Sequence, residues 1–252
     1  MREINMHEGR VPRFGYVDCA WRLACLLTIA ILAGCTLAPT APLSKQHLAR
    51  VEVLALLQTL NADLLSHDSA TLTLERWCAD HHLAGNSPSE QARIVAQRVR
   101  GEVKPIPADL REHLAITAND AIGYRYVQLA CGTHVLSEAD NWYVPSRLTA
   151  EMNQRLDTTD EPFGKVVKAL GFQRRTLSAE LLWSPLPSGW EMSAANFARD
   201  ADREPLRIPH ALLRHQAILY TSAQVPFSAV VETYTNQLFD FDGWASRLMK
   251  EP

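Results

Sequence analysis

Apolar residues at Leu48, Val51, Leu54, Leu57 and Leu60 recur at helical spacing, which predicts an amphipathic helix with one face turned to a core. A second helix is predicted from a cap at Ser69 or Thr71 through Leu72, Leu74 and Trp77 to about His82, with Glu75 near its first turn. From Ala92 the pattern changes to short runs of strand character: Ile94 to Val103, Ala121 to Cys131, Val135 to Val144, Phe172 to Trp183, Ile208 to Ser222 and Ser228 to Leu238. Several of these runs are separated by turn residues alone, so the spacing favours neighbouring antiparallel strands over parallel crossovers. Two helix candidates, Arg147 to Leu156 and Gly164 to Leu170, stand between the third and fourth runs. The stretch from Ser184 to Pro205 has no period and reads as a long loop. The expected architecture is α+β: a single antiparallel sheet of about six strands with helices on one face.

Strict alternation puts Arg125, Val127 and Leu129 on one side of their strand and Tyr124, Tyr126 and Gln128 on the other. In the last strand Ser228, Val230, Glu232 and Tyr234 share a side. A guanidinium and a carboxylate therefore occupy mid-strand positions among core-facing neighbours. Burying either charge costs several kcal/mol unless it meets an opposite charge or a charged ligand. An anion-binding pocket satisfies that requirement, and so does a structural Arg–Glu pair. A guanidinium offers a planar fork of donors, which suits a carboxylate better than a lysine does.

The chain has 252 residues, 47% of them hydrophobic, enough for one sizeable core. A net charge of −3 provides no broad basic field, which disfavours nucleic acid as a partner. Arg10, Arg13 and Arg22 precede an apolar run, Leu23 to Ala33, that closes on Leu32-Ala33-Gly34-Cys35. The run is well short of the roughly 20 apolar residues of a spanning helix. It resembles a bacterial lipoprotein signal, which implies lipidation of Cys35 and, with Thr36 rather than Asp following, an outer-membrane anchor facing the periplasm. A plain secretory signal and a start-site artefact that would leave the protein in the cytoplasm are the alternatives. The organisation expected is a signal over residues 1–34, a linker over 35–44 and a domain over 45–252, monomeric by preference. Of five cysteines, Cys78 and Cys131 stay in that domain, either as a disulfide in an oxidising compartment or as two buried thiols. The sequence holds no CxxC pair and no HExxH, so no metal is expected, nor any other cofactor.

From Asp68 to Asp240 the order of motifs resembles the chorismate pyruvate-lyase family, whose fold recurs in effector-binding domains of GntR-type regulators. Asp68-Ser69-Ala70-Thr71 with Leu74-Glu75 is similar to that family's opening helix cap. The Tyr124-Arg125 strand, the strand end Val144-Pro145-Ser146, the turn Pro162-Phe163-Gly164 and Glu232 on the last strand follow in the family's order. The resemblance implies that Arg125 grips a ring carboxylate, that Glu232 contacts the opposite end of the ring, and that the backbone at Phe163 helps to hold the ligand. Ala70 stands where the family has a bulkier methionine, and Asn141-Trp142-Tyr143 replaces a Gly-Arg-Thr that includes a second arginine. Arg147, just after the Val-Pro pair, is the candidate to substitute for that arginine. The implied reaction is elimination: chorismate loses its enolpyruvyl ether as pyruvate while the ring aromatises to 4-hydroxybenzoate. Arg125 would orient the ring and Glu232 would assist proton removal.

Other residues are expected to be structural. His81 and His82 are expected at the surface, Glu138 and Asp140 in a solvated loop, and Trp142 and Tyr143 in the core. No GxSxG elbow supports a serine nucleophile. Two further functions remain beside the lyase: a lipid-anchored module that binds aromatic carboxylates without turning them over, and an envelope interaction protein that has kept the scaffold alone.

Overall fold

In a computed structural model that describes residues 44–85, 92–101, 103–192 and 205–241, the fold is built on six strands. They are β1 (Ile94–Val99), β2 (Gly123–Cys131), β3 (His134–Tyr143), β4 (Gln173–Leu181), β5 (Ala211–Tyr220) and β6 (Pro226–Thr235). They pair antiparallel throughout in the order β1-β2-β3-β6-β5-β4. The protein is thus α+β with a single antiparallel sheet. Cys35, the signal segment and all of the linker but Ser44 lie outside the described residues.

The helices follow from local chemistry. Ser44 caps α1 (Lys45–Ser66) by accepting the His47 N–H at 3.1 Å, and the helix buries Val53, Leu57, Leu60 and Leu64 at helical spacing. Ser69, not Thr71, caps α2 (Ala70–Asp80), which buries Leu74, Trp77 and Cys78. Together α1 and α2 pack over Ile94, Val127, Leu129, Ala139, Leu213 and Val230, and this is the main core. Thr149 caps α4 (Ala150–Thr158), and α5 (Phe163–Val166) follows one short loop later. A smaller core forms there from Met152, Leu156, Phe163, Val166, Tyr143 and Leu219.

One helix was not expected from the sequence. The six-residue α3 (Ala108–His113) is too short to show a period, and it lies on the opposite face of the sheet from α1 and α2. Its Leu110, with Leu114, packs against Trp142, Val144, Ile218 and Ala229. The prediction for β1 ran to Val103 and that for β5 began at Ile208, whereas pairing stops at Val99 and starts at Ala211. Glu138 and Asp140 belong to β3 and not to a loop: Asp140 accepts from the Tyr124 hydroxyl at 2.6 Å and pairs with Lys104 at 2.8 Å. Of the long loop, Ser184 to Met192 is described, and it ends in a short turn of helix, Trp190–Met192, after the buried Leu186.

Cys78 and Cys131 form a disulfide that ties α2 to the end of β2, with Cα atoms 6.3 Å apart. Glu75 adds a second tie, accepting the Ile94 N–H at 3.1 Å and pairing with Lys165 at 2.5 Å, so α2, β1 and α5 are held together. Among the described residues no helix is long and apolar enough to cross a membrane.

Candidate functional site

The face of the sheet beneath α2 and α5 contains a hollow of ≈ 50 Å³. Its sheet side is made by Arg125, Val127, Leu129, Ala139, Asn141, Val230 and Glu232, and its roof by Ala70, Thr71 and Phe163. Asp68, Ser69, Gly164 and Phe172 also line it, and since Asp68 is exposed and the other three half-buried, they form the mouth. An apolar cavity that admits benzene is larger, at roughly 150 Å³. A ring therefore enters this hollow only by pressing the mouth residues outward or by projecting through them. Gly164 helps to keep the space open, because a Cβ there would sit 3.6 Å from the Ser69 hydroxyl and 3.8 Å from the Phe172 ring.

Arg125 enters the hollow because β2 alternates, and it is 2% exposed. Gly123, two residues earlier on the same face, leaves room for the ring of Tyr143, with which any Cβ there would collide. From Arg125, Nη2 donates to the carbonyls of Thr159 at 3.4 Å and Glu161 at 3.3 Å, in the loop after α4. Its Nε and Nη1 are buried and have no hydrogen-bond partner among the described residues. Burial lowers the pKa of this guanidinium below its usual value, with Arg98 adding to the effect and Tyr143, Asp160 and Asp157 opposing it. It stays charged all the same. The consequence is a buried cation with two idle donors.

Glu232 is 5% exposed and lies two strands from Arg125 in the sheet, about 10 Å at normal strand spacing. Its partner is a residue the sequence reading did not single out. Arg174 on β4 reaches across β5 and places Nη2 2.6 Å from Glu232 Oε2, with both side chains almost fully buried. The Tyr234 hydroxyl donates to the same oxygen at 3.1 Å. Burial opposes the charge on Arg174, but Glu232, Tyr234 and Asp68 together more than offset it, and the guanidinium pKa is raised. Burial, with Glu232 beside it, pushes the Tyr234 hydroxyl well above its usual range. The two arginines of the hollow thus differ in kind: Arg174 is compensated by a carboxylate and Arg125 is held by carbonyls.

Of the residues singled out from sequence, Arg125, Glu232, Phe163 and Ala70 line the one hollow. Arg147 does not. Its Nη1 donates to Leu114 at 2.7 Å and Pro226 at 2.5 Å and its Nη2 to Ala115 at 3.2 Å, so its fork clamps the end of α3 to the start of β6. The second cation that lines the hollow is Arg174 instead. His82 is exposed, whereas His81 is half-buried and stacks on Trp77 with ring centroids 4.0 Å apart. Trp142 and Tyr143 are core residues on opposite faces of the sheet. Among the described residues no group of three or more His, Cys, Asp or Glu is placed to hold a metal ion.

No family model matches the chain. The uncharacterized protein y4mC of Sinorhizobium fredii (strain NBRC 101917 / NGR234) is 55% identical over 194 residues, which cover 77% of this chain and 79% of y4mC. The chain belongs to the y4mC family. Among solved structures, the possible transcriptional regulator YydK of Bacillus subtilis is similar with a TM-score of 0.35 at 14% identity, over 56% of this chain and 58% of YydK. PhnF of Mycobacterium smegmatis is similar with a TM-score of 0.38 at 11% identity, over 60% of this chain and 65% of PhnF. The chain therefore spans less than two thirds of the length of YydK and of PhnF. Likenesses of this size carry no argument about function, and the fold of this y4mC-family member rests on its own strand pairing.

His215 backs the ion pair in this y4mC-family site. It lies directly opposite Glu232 in the sheet, is fully buried, and its Nε2 is 2.9 Å from the Asn61 side-chain oxygen on α1. Burial, with Arg174 adding to it, lowers its pKa to about 4. The unfolded chain takes up this proton near pH 6.5 and the folded chain does not, so His215 contributes stability that is complete above pH 6.5 and declines as pH falls toward 4. Denaturant unfolding between pH 7 and pH 5 is expected to show a slope approaching about 1.4 kcal/mol per pH unit, removed in His215→Gln. An unchanged slope in the variant contradicts this assignment.

Proposed function

We propose that this domain binds a small organic carboxylate in the hollow, with Arg125 as its anchor and aromatic acids as the first candidates. The observation that carries the reading is the pair of unpartnered donors, Nε and Nη1, on a guanidinium that is 2% exposed. A carboxylate accepts a charge-assisted hydrogen bond from either idle N–H, takes the parallel fork of Nε and Nη2 once Nη2 turns from its carbonyls, and neutralises the charge at once. Phe163, Phe172, Val127 and Val230 provide apolar and aromatic surface for the rest of the ligand. The first turn of α2, at Ala70 and Thr71, adds the positive end of a helix dipole.

Elimination on chorismate is the second reading, and the presence of Glu232 in the same hollow as Arg125 favours it. The Arg174–Glu232 pair weighs against it, since a proton taken by Glu232 would leave Arg174 buried without its counter-charge. Binding without turnover is therefore preferred. The expected result is that 4-hydroxybenzoate or benzoate raises the melting temperature of the protein, that Arg125→Met abolishes the rise, and that Gly164→Leu abolishes it by filling the hollow. A ligand at 100 times its Kd is expected to stabilise by about 2.7 kcal/mol. Equal shifts in Arg125→Met contradict the binding reading, and Arg125-dependent release of pyruvate from chorismate promotes the lyase reading over it.

The location proposed is the periplasmic face of a membrane, through a lipid on Cys35. The support is the apolar run ending in Leu32-Ala33-Gly34-Cys35 and a domain disulfide suited to an oxidising compartment. Metabolic labelling with a fatty acid is expected to mark the wild type and not Cys35→Ala; labelling of neither overturns the anchor.

A further inference from the structure

We propose that the hollow selects singly charged carboxylates and rejects ligands that carry a second acidic group, and that Glu232 sets this selection. The inference rests on the carboxylate reading above and goes beyond it to the charge class of the ligand.

Three buried charges line the hollow: Arg125, Arg174 and Glu232. Arg174 and Glu232 cancel each other at 2.6 Å, which leaves one positive charge, that of Arg125. One negative charge on the ligand completes the balance. A second acidic group would be carried out of water and set beside Glu232, where like charges repel in a low dielectric. No arrangement of the side chains present relieves that repulsion. If Arg174 turned to a second acid it would leave Glu232 buried and unpaired, which costs as much as it gains. His215, the next polar group behind the pair, is engaged with Asn61 and carries no positive charge at neutral pH. Asp68 stands at the exposed mouth and adds negative charge to the path of entry. A ligand of this site therefore ends, away from Arg125, in a neutral group.

Titration calorimetry on the full-length protein separates charge from size with four probes. They are benzoate, 4-hydroxybenzoate, benzene-1,4-dicarboxylate and its monomethyl ester, which has the length of the diacid and the charge of benzoate. The diacid is expected to bind about tenfold or more weakly than the monomethyl ester. In Glu232→Gln that gap is expected to close to within about threefold, because two cations then face the two anions. Equal affinity of diacid and ester in the wild type overturns the charge selection even if the variant fails to fold, and so does a gap that persists in a folded Glu232→Gln. Failure of all four probes to bind, or binding that Arg125→Met leaves intact, overturns the underlying carboxylate reading instead.

Discussion

Among the described residues the buried guanidinium of Arg125 has no carboxylate in hydrogen-bond contact, and the site is organised around that fact. Desolvating a charge is costly, and two carbonyls at 3.3 and 3.4 Å repay a small part of it. Arg174 shows the alternative within the same hollow, since an equally buried guanidinium there has a carboxylate at 2.6 Å and a raised pKa. Both side chains belong to one core, so the difference between them is not one of environment in general. It is that, among the described residues, no carboxylate touches one of the two, which is what a receptor for an anion requires and what a structural ion pair does not.

The sheet order creates this arrangement. β2 and β4 are far apart in the sheet, with β3, β6 and β5 between them, and their inward side chains converge over the middle strands. On that middle strip the small Ala139 lines the hollow beside Val230. Bulk there would fill the hollow. The roof is fixed by groups that tie the helices to the sheet: the Cys78–Cys131 disulfide, Glu75 bridging to β1 and α5, and Asp68 accepting the Arg174 N–H at 2.8 Å. These ties hold the start of α2 above the two arginines. A hollow of ≈ 50 Å³ takes a ring only by widening or by letting it project through the mouth.

Some of this was legible in the amino-acid pattern and some was not, for specific reasons. Arg125 and Glu232 stood out because each interrupts an alternation of apolar residues whose inward side is unambiguous. Arg174 did not, because Gln173-Arg174-Arg175-Thr176 offers no apolar marker of which side faces in, and an irregularity between Thr176 and Ser178 shifts the phase further on. Arg147 was misassigned because nearness to the Val-Pro strand end says nothing of where a long side chain turns; its fork found three carbonyls first. The α3 helix escaped because six residues complete fewer than two turns, and its burial depends on Trp142 and Ile218 from distant strands. The charge of Asp140 suggests a loop, whereas Tyr124 and Lys104 give it partners on the sheet surface.

The account reduces to whether Arg125 is a receptor or a structural element, and the unfolding free energy of ligand-free Arg125→Met against the wild type tests this most directly. A receptor arginine is uncompensated without its ligand, so the variant is expected to be as stable as the wild type to within about 1 kcal/mol, or more stable. A loss of about 3–5 kcal/mol, as when one partner of a buried ion pair is removed, would contradict it.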